Sequence, residues 1–194
     1  KAIDCKMLYL STDYVFDGRK TSPYTPEDEP NPLNEYGKAK LAGEQAVRYY
    51  CPDAYIIRTS WVFGEHGQNF VYTMLKSAER KNVLKGVVDQ YGRPTYAPDL
   101  ASFMKHVIEV RPESGIYHFS NDEEASWYEF AVEILKNTDV KVLPVSSEEF
   151  PQKAKRPSYS VMSLDKVKET GFYVPTWKDS LERFQNQIRK SALR

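Results

Sequence analysis

The sequence YGKAKLAGEQAVRYY occupies residues 36–50 and predicts an α-helix. An apolar stripe at helical spacing runs along it, formed by Leu41, Ala42, Ala46 and Val47. Asn34 can cap its first turn, and Pro52 ends the helical pattern. Apolar runs flank this segment at 7–11 and 54–60, and each predicts a buried strand. The order strand, helix, strand predicts a parallel βαβ unit and therefore an α/β fold.

The remainder of the chain also alternates between helical and extended patterns. Residues 13–35 are rich in proline and turn residues and predict a long loop. Further helices are predicted from Phe70 to Ala78, Ala97 to Val110, Ser126 to Lys136, Leu164 to Thr170 and Thr176 to Arg189. Further strands are predicted at Val83–Val88, Gly115–Ser120 and Val142–Val145.

The composition excludes several classes of function. The chain has 194 residues, of which 41% are hydrophobic, and it balances 27 basic against 27 acidic residues without a basic block. This even charge gives no support to a nucleic-acid or membrane-surface role, and no apolar run approaches the ~18 residues that span a bilayer. Cys5 and Cys51 have neither metal-ligand spacing nor a disulfide pattern, so a cytoplasmic location without a metal site is predicted.

Polar and aromatic side chains follow three of the predicted strands. Ser11-Thr12-Asp13 and Thr59-Ser60-Trp61 come at the ends of the first two strands, and Asp89-Gln90 follows the strand at Val83–Val88. Ligands of parallel α/β sheets bind at the carboxyl edge, because the loops that leave the strands meet there. We therefore expect the functional site at this edge.

Tyr36 and Lys40 carry chemistry suited to such a site. They lie four residues apart on the predicted helix, so both side chains project from one face. An ammonium near a phenol favours the phenolate and lowers the pKa of the phenol from about 10, which suits proton transfer near neutral pH. A hydroxyl from Thr12 beside them suits a carbonyl that gains negative charge during reduction. The hydride would come from a cofactor.

Longer motifs carry a resemblance to a known family. They are STDYVFDG at 11–18, PLNEYGKAKLAGE at 32–44, RTSWV at 58–62, Asn69-Phe70, DQYGRPT at 89–95 and Arg156-Pro157. Together they closely resemble the dTDP-4-dehydrorhamnose reductases, extended short-chain dehydrogenases/reductases of bacterial rhamnose synthesis. The resemblance spans nearly the whole chain. It implies reduction of the 4-keto group of dTDP-4-dehydro-6-deoxy-L-mannose to dTDP-L-rhamnose, with NADPH or NADH as cofactor.

The resemblance also implies roles for individual residues. Tyr36 would protonate the 4-keto oxygen, while Lys40 would lower the pKa of Tyr36 and bind the nicotinamide ribose, so both would be cofactor ligands. Thr12 would take the place of the superfamily's catalytic serine or threonine and contact the substrate. Asp13 would contact sugar hydroxyls, and Trp61 would pack against the sugar. The nucleotide-sugar would also be surrounded by Asp89, Gln90, Thr95 and Arg156.

The implied fold is a Rossmann-like parallel sheet, of which this chain has the C-terminal half, with a small α/β substrate-binding domain. Residues 1–62 would belong to the sheet domain. Residues 63–194 would form the substrate-binding region, interleaved with the last Rossmann elements (the helix 97–110 and a strand near 83–88 or 115–120). No Gly-x-x-Gly-x-x-Gly turn for a dinucleotide occurs in the sequence. We therefore expect an N-terminal part to be missing, the first strand to have an open edge, and the chain alone to be neither stable nor active.

Two alternatives share much of this motif set. A non-catalytic regulatory subunit of the methionine adenosyltransferase type has the same fold, but the presence of Tyr36, Lys40 and Trp61 favours a sugar enzyme. Another sugar-nucleotide-modifying enzyme, an epimerase or dehydratase, would share the tyrosine and lysine. A dehydratase usually has an acidic pair after the threonine, whereas Tyr14 follows Asp13 here.

One loop departs from the family's pattern. Ser158-Tyr159-Ser160-Val161 follows Arg156-Pro157, with an extra tyrosine and without the expected arginine. The implied partners are a nucleotide-sugar substrate and a second copy of the chain in a homodimer. A magnesium ion at a subunit interface cannot be identified from the sequence.

Overall fold

The computed structural model describes residues 5–150 and 154–192. Within them the strands are β1 (Leu8–Thr12), β2 (Tyr55–Thr59), β3 (Val62–Phe63), β4 (Val83–Val87), β5 (Tyr91–Gly92), β6 (Thr95–Tyr96), β7 (Gly115–His118), β8 (Ala125–Ser126) and β9 (Lys141–Val145). The helices are α1 (Glu35–Tyr50), α2 (Phe70–Ala78), α3 (Ala97–Val110), α4 (Trp127–Leu135), α5 (Asp165–Glu169) and α6 (Trp177–Ala192). The helices and strands predicted from the sequence are confirmed, with small shifts at their ends.

The main sheet is parallel and has the order β1–β2–β7, so within the described residues β1 pairs with β2 alone. Successive side chains of β2 leave on opposite faces. Ile56 packs with Val47 of α1, whereas Ile57 packs in a cluster with Phe103 of α3 and Val167 of α5. The sheet is therefore covered by helices on both faces, which confirms the predicted α/β class.

α1 packs very closely on β1. Gly37 lies against the carbonyl of Tyr14 and Gly43 against the phenol of Tyr9, and a Cβ at either glycine would overlap these atoms. Asn34 accepts a hydrogen bond from the backbone N–H of Gly37 at 2.9 Å and caps the helix as predicted. The close approach sets the first turn of α1 beside the carboxyl end of β1.

A second region forms around β4 and β9, which pair in parallel. The strand predicted near 83–88 thus lies in a separate two-stranded sheet, and the strand near 115–120 supplies the third strand of the main sheet. The core of this region includes Phe63, Val71, Leu84, Phe130, Trp177 and Phe184. Two short pairs, β3 with β6 and β5 with β8, complete it. In the part of the chain that the structure describes, no helix is both long and apolar enough to cross a bilayer.

Candidate active site

The carboxyl end of β1 holds three hydrogen-bonded side chains. The Thr12 hydroxyl accepts from the backbone N–H of Tyr14 at 3.2 Å and donates to Oδ1 of Asp13 at 3.0 Å. The Ser160 hydroxyl donates to Oδ2 of Asp13 at 2.6 Å. All three side chains are buried. Burial raises the pKa of Asp13 to about 6, although the hydrogen bonds from Ser160 and Thr12 oppose this shift.

Tyr36 and Lys40 lie nearby on the first turns of α1. The side chain of Tyr36 is 56% exposed, and its ring meets the ring of Tyr14 edge-on with centroids 5.9 Å apart. Nζ of Lys40 lies 4.4 Å from the ring centroid of Tyr9. Among the described residues, the Tyr36 hydroxyl and the Lys40 ammonium have no hydrogen-bond or ion-pair partner. Both groups are therefore available to a ligand.

A buried ion pair anchors α1 to the sheet one turn beyond Lys40. Nε and Nη2 of Arg58 donate to the two carboxylate oxygens of Glu44 at 2.9 and 2.7 Å. Ser11 on β1 donates a further hydrogen bond to Glu44. Nη1 of Arg58 is 3.5 Å from Nε2 of His118. Burial, assisted by the charge of Arg58, lowers the pKa of His118 to about 3, so this imidazole is neutral.

Trp61 and Trp127 form an aromatic stack at the end of β2. Their ring centroids are 3.6 Å apart and their planes differ by 12°. A Cβ on Gly92 would lie 2.6 Å from Cε2 of Trp61, so this position has room only for glycine. The guanidinium of Arg156 lies 5.7 Å from the ring centroid of Trp127, within the range of a cation–π interaction. The stack therefore ends in a cation.

A cleft of about 1010 Å³ opens beside this cation. Its walls come mainly from residues 17–21, 89–91 and 154–159. Lys155 and Arg156 on the third wall have no carboxylate partner within the described residues, which makes this wall suitable for an anionic ligand. Burial and the charge of Asp13 raise the pKa of Tyr14 to about 12, and the charge of Arg156 opposes them. Tyr14 is thus under the electrostatic influence of both Asp13 and Arg156.

Comparison with known proteins identifies the family. The model of the family described as RmlD substrate binding domain matches residues 1–190. The chain belongs to this family. It is 44% identical over 192 residues to the spore coat polysaccharide biosynthesis protein SpsK of Bacillus subtilis, a match that covers 98% of this chain and 67% of that relative. It is 40% identical over 190 residues to a dTDP-4-dehydrorhamnose reductase of Sinorhizobium fredii, with 91% and 64% covered.

A solved member of the RmlD family has the same fold. The dTDP-4-dehydrorhamnose reductase of Bacillus anthracis in complex with NADP superimposes with a TM-score of 0.91 at 40% identity, covering 96% of this chain and 67% of that one. This match confirms the family resemblance that the sequence motifs indicated. It also confirms the predicted Rossmann-like fold. This RmlD-family chain spans about two thirds of the length of the relatives it matches.

The other predicted substrate residues of this RmlD-family chain differ in accessibility. Gln90 lines the cleft and a small adjoining apolar pocket. Asp89 also lines the cleft, but its carboxylate accepts hydrogen bonds from the backbone N–H and hydroxyl of Ser147, both at 2.9 Å. Thr95 is completely buried, and its hydroxyl is 3.4 Å from that of Thr59. Thr95 therefore has no surface for direct contact with a ligand in this structure.

The sequence predictions do not include three residues that shape this site: Glu44, Trp127 and Ser160. Glu44 lies four residues after Lys40, as Lys40 lies four residues after Tyr36. This spacing predicts that the three side chains share one face of the helix. Trp127 and Ser160 have no comparable signal. Ser160 meets Asp13 across 147 residues of chain, and no local pattern reports such a contact.

Proposed function

We propose that the protein reduces the 4-keto group of dTDP-4-dehydro-6-deoxy-L-mannose to dTDP-L-rhamnose with NADPH. The observation that carries the proposal concerns Tyr36 and Lys40, which share a helical face near Thr12 at the carboxyl edge of the main sheet. Within residues 5–150 and 154–192, neither the Tyr36 hydroxyl nor the Lys40 ammonium has a partner. A proton donor, a cation and a hydroxyl together suit a carbonyl oxygen that gains negative charge. The relative in Sinorhizobium fredii, a dTDP-4-dehydrorhamnose reductase, supports the same reaction.

The protein's own residues would supply the proton that the 4-keto oxygen receives. Tyr36 donates its phenolic proton to the 4-keto oxygen, and the positive charge of Lys40 stabilises the phenolate that remains. Thr12 offers its hydroxyl to the same oxygen when the hydrogen of that hydroxyl is not engaged by Asp13. The 56% exposure of Tyr36 favours this role, because a general acid must reach the atom that it protonates.

The residues present suit the nicotinamide end of the cofactor. When bound, NADPH supplies the hydride that the carbonyl carbon receives. Tyr36 and Lys40 would hold the adjoining ribose, because both carry hydrogen-bond donors without partners among the described residues. The Bacillus anthracis relative is in complex with NADP, and NADH is the alternative cofactor.

We place the nucleotide-sugar in the 1010 Å³ cleft. Arg156, held against Trp127, would bind the pyrophosphate, and Trp61 would fix the position of the sugar through that stack. Of the other predicted substrate residues, Asp89 and Gln90 line this cleft, whereas the buried Thr95 would act without touching the ligand. A cytoplasmic location and a homodimer are part of the same proposal.

Replacement of Tyr36 by phenylalanine in the native, full-length protein tests the proposal. We expect kcat to fall by about 10²–10⁴-fold, which is the usual contribution of a general acid. NADPH oxidation with dTDP-4-dehydro-6-deoxy-L-mannose is followed at saturating substrate. Tyr49→Phe is the matched control, because Tyr49 lies on the same helix and is 79% exposed. Wild-type protein without turnover, or a Tyr36→Phe variant as active as Tyr49→Phe, would overturn the proposal.

A further inference from the structure

Asp13 is more deeply buried than a residue that contacts the sugar directly would be. Its side chain is 2% exposed, and each of its carboxylate oxygens already accepts a hydrogen bond, one from Thr12 and one from Ser160. Asp13 has no ion-pair partner within the described residues. These contacts indicate that Asp13 acts on the site through Thr12.

The direction of the Thr12 hydroxyl depends on the proton of Asp13. A hydroxyl has a single hydrogen and two acceptor sites. In the arrangement described here the hydrogen of Thr12 goes to Oδ1 of Asp13, and the N–H of Tyr14 fills one acceptor site. Thr12 can then accept a hydrogen bond from a ligand but cannot donate one. If Oδ1 carries a proton instead, Asp13 donates to the second acceptor site, and the hydrogen of Thr12 becomes free for a carbonyl oxygen.

We propose that Asp13 is a positioning residue, anchored by Ser160, whose proton decides whether Thr12 can donate a hydrogen bond to the substrate carbonyl. The proposal rests on the proposed ketone reduction for the use of that hydrogen bond. It assigns Ser160, in the loop that departs from the family's pattern, the role of holding Asp13 to that loop.

The surroundings of Asp13 place this switch near neutral pH. Burial raises the pKa of Asp13 to about 6. Among the titratable and charged groups around it, Tyr14 interacts with Asp13, and Tyr36 on α1 and Arg156 on the loop in turn interact with Tyr14. The pKa of Tyr14 is raised to about 12, so this phenol stays neutral where Asp13 titrates.

A pH-dependent mutant cycle in the native, full-length protein tests the inference. At each pH, kcat of the protein with Thr12 is divided by kcat of the same protein with Thr12→Val. This ratio measures the contribution of the Thr12 hydroxyl to catalysis. We expect this ratio to be about tenfold at pH 5.5, the effect of one hydrogen bond, and to approach 1 at pH 8. In the Asp13→Asn background the ratio should stay about tenfold at both pH values, because the amide always donates to Thr12 while its oxygen accepts from Ser160.

The opposite patterns overturn the inference. They are a wild-type ratio that does not change with pH, a ratio near 1 throughout in the Asp13→Asn background, or a higher KM in Asp13→Asn with the pH profile unchanged. The last result would mean that Asp13 contacts the sugar directly. None of these three results would contradict the proposed reaction. That reaction is contradicted only if the wild-type protein lacks turnover or the Tyr36→Phe variant retains turnover.

A second measurement needs no substrate. The ¹³C chemical shift of the Asp13 carboxyl carbon should titrate with a midpoint near the value of about 6 that burial produces. Ser160→Ala should raise the midpoint, because it removes a hydrogen bond that favours the carboxylate. Ser163→Ala is the matched control, since the Ser163 hydroxyl instead donates to Asp165 at 2.7 Å. A midpoint near the ordinary ~4 of an aspartate, or equal midpoints in the two variants, would contradict the inference.

Discussion

Replacement of Glu44 by glutamine should destabilise the native protein by about 3 kcal/mol. The substitution keeps the shape of the side chain but removes the charge that Arg58 contacts at 2.9 and 2.7 Å. Arg58 is 1% exposed, so water cannot replace the lost carboxylate. Its remaining neighbours include the ring of Phe16, whose centroid is 5.1 Å away, and the neutral His118. An uncompensated buried charge costs about 3–5 kcal/mol, and the amide oxygen of glutamine keeps the loss near the lower limit.

Urea unfolding followed by circular dichroism measures this loss. Glu35→Gln is the matched control on the same helix, because the Glu35–Lys38 pair has the same 2.7 Å separation but side chains that are 89% and 59% exposed. We expect no measurable change for the control. Combining Glu44→Leu with Arg58→Met removes both buried charges and should recover most of the stability. The reasoning is refuted if Glu44→Gln costs less than about 1 kcal/mol or cannot be distinguished from Glu35→Gln.

Two further predictions concern His118 and Gly92. The pKa of His118 falls from 6.5 to about 3 on folding, so the folded protein binds fewer protons between these values and loses stability as the pH drops below 6.5. His118→Gln should reduce the stability lost between pH 7.5 and pH 5 by about 2 kcal/mol in urea titrations, and an unchanged loss would contradict the reasoning. Gly92→Ala should cost about 1–3 kcal/mol, because the new Cβ would lie 2.6 Å from Cε2 of Trp61. Urea unfolding and tryptophan fluorescence would report the displaced stack, and wild-type values in both would show that the site relaxes freely.

Local sequence patterns predict much of this fold because they depend on near neighbours. The apolar run Tyr55–Thr59 is a strand buried along its whole length, and Asn34 caps α1 through a bond to a residue three positions away. Ser126, the first residue of the helix predicted from Ser126 to Lys136, caps α4 and forms a capping box with Glu129. In each case the signal and the contact lie within one element.

The partners of the elements are not predictable in the same way. The sequence predicts the strand at Val83–Val87 in the same way as the strands of the main sheet, yet it pairs with Lys141–Val145 in a separate sheet. The alternation of side chains shows which face of an element is buried, but not which other element buries it. Thr95 illustrates the same point at the site, because its motif predicts a ligand contact and its packing encloses it completely.

The sequence by itself determined the alternating α/β order, the family motifs and the helical face shared by Tyr36, Lys40 and Glu44, since spacing along one helix fixes that face. Only the tertiary structure decided that Asp13 meets Ser160 across 147 residues of chain. It also decided that Trp61 stacks on Trp127. The physical reason is that these contacts arise from how separate elements pack, and the energy that selects that packing comes from the whole core.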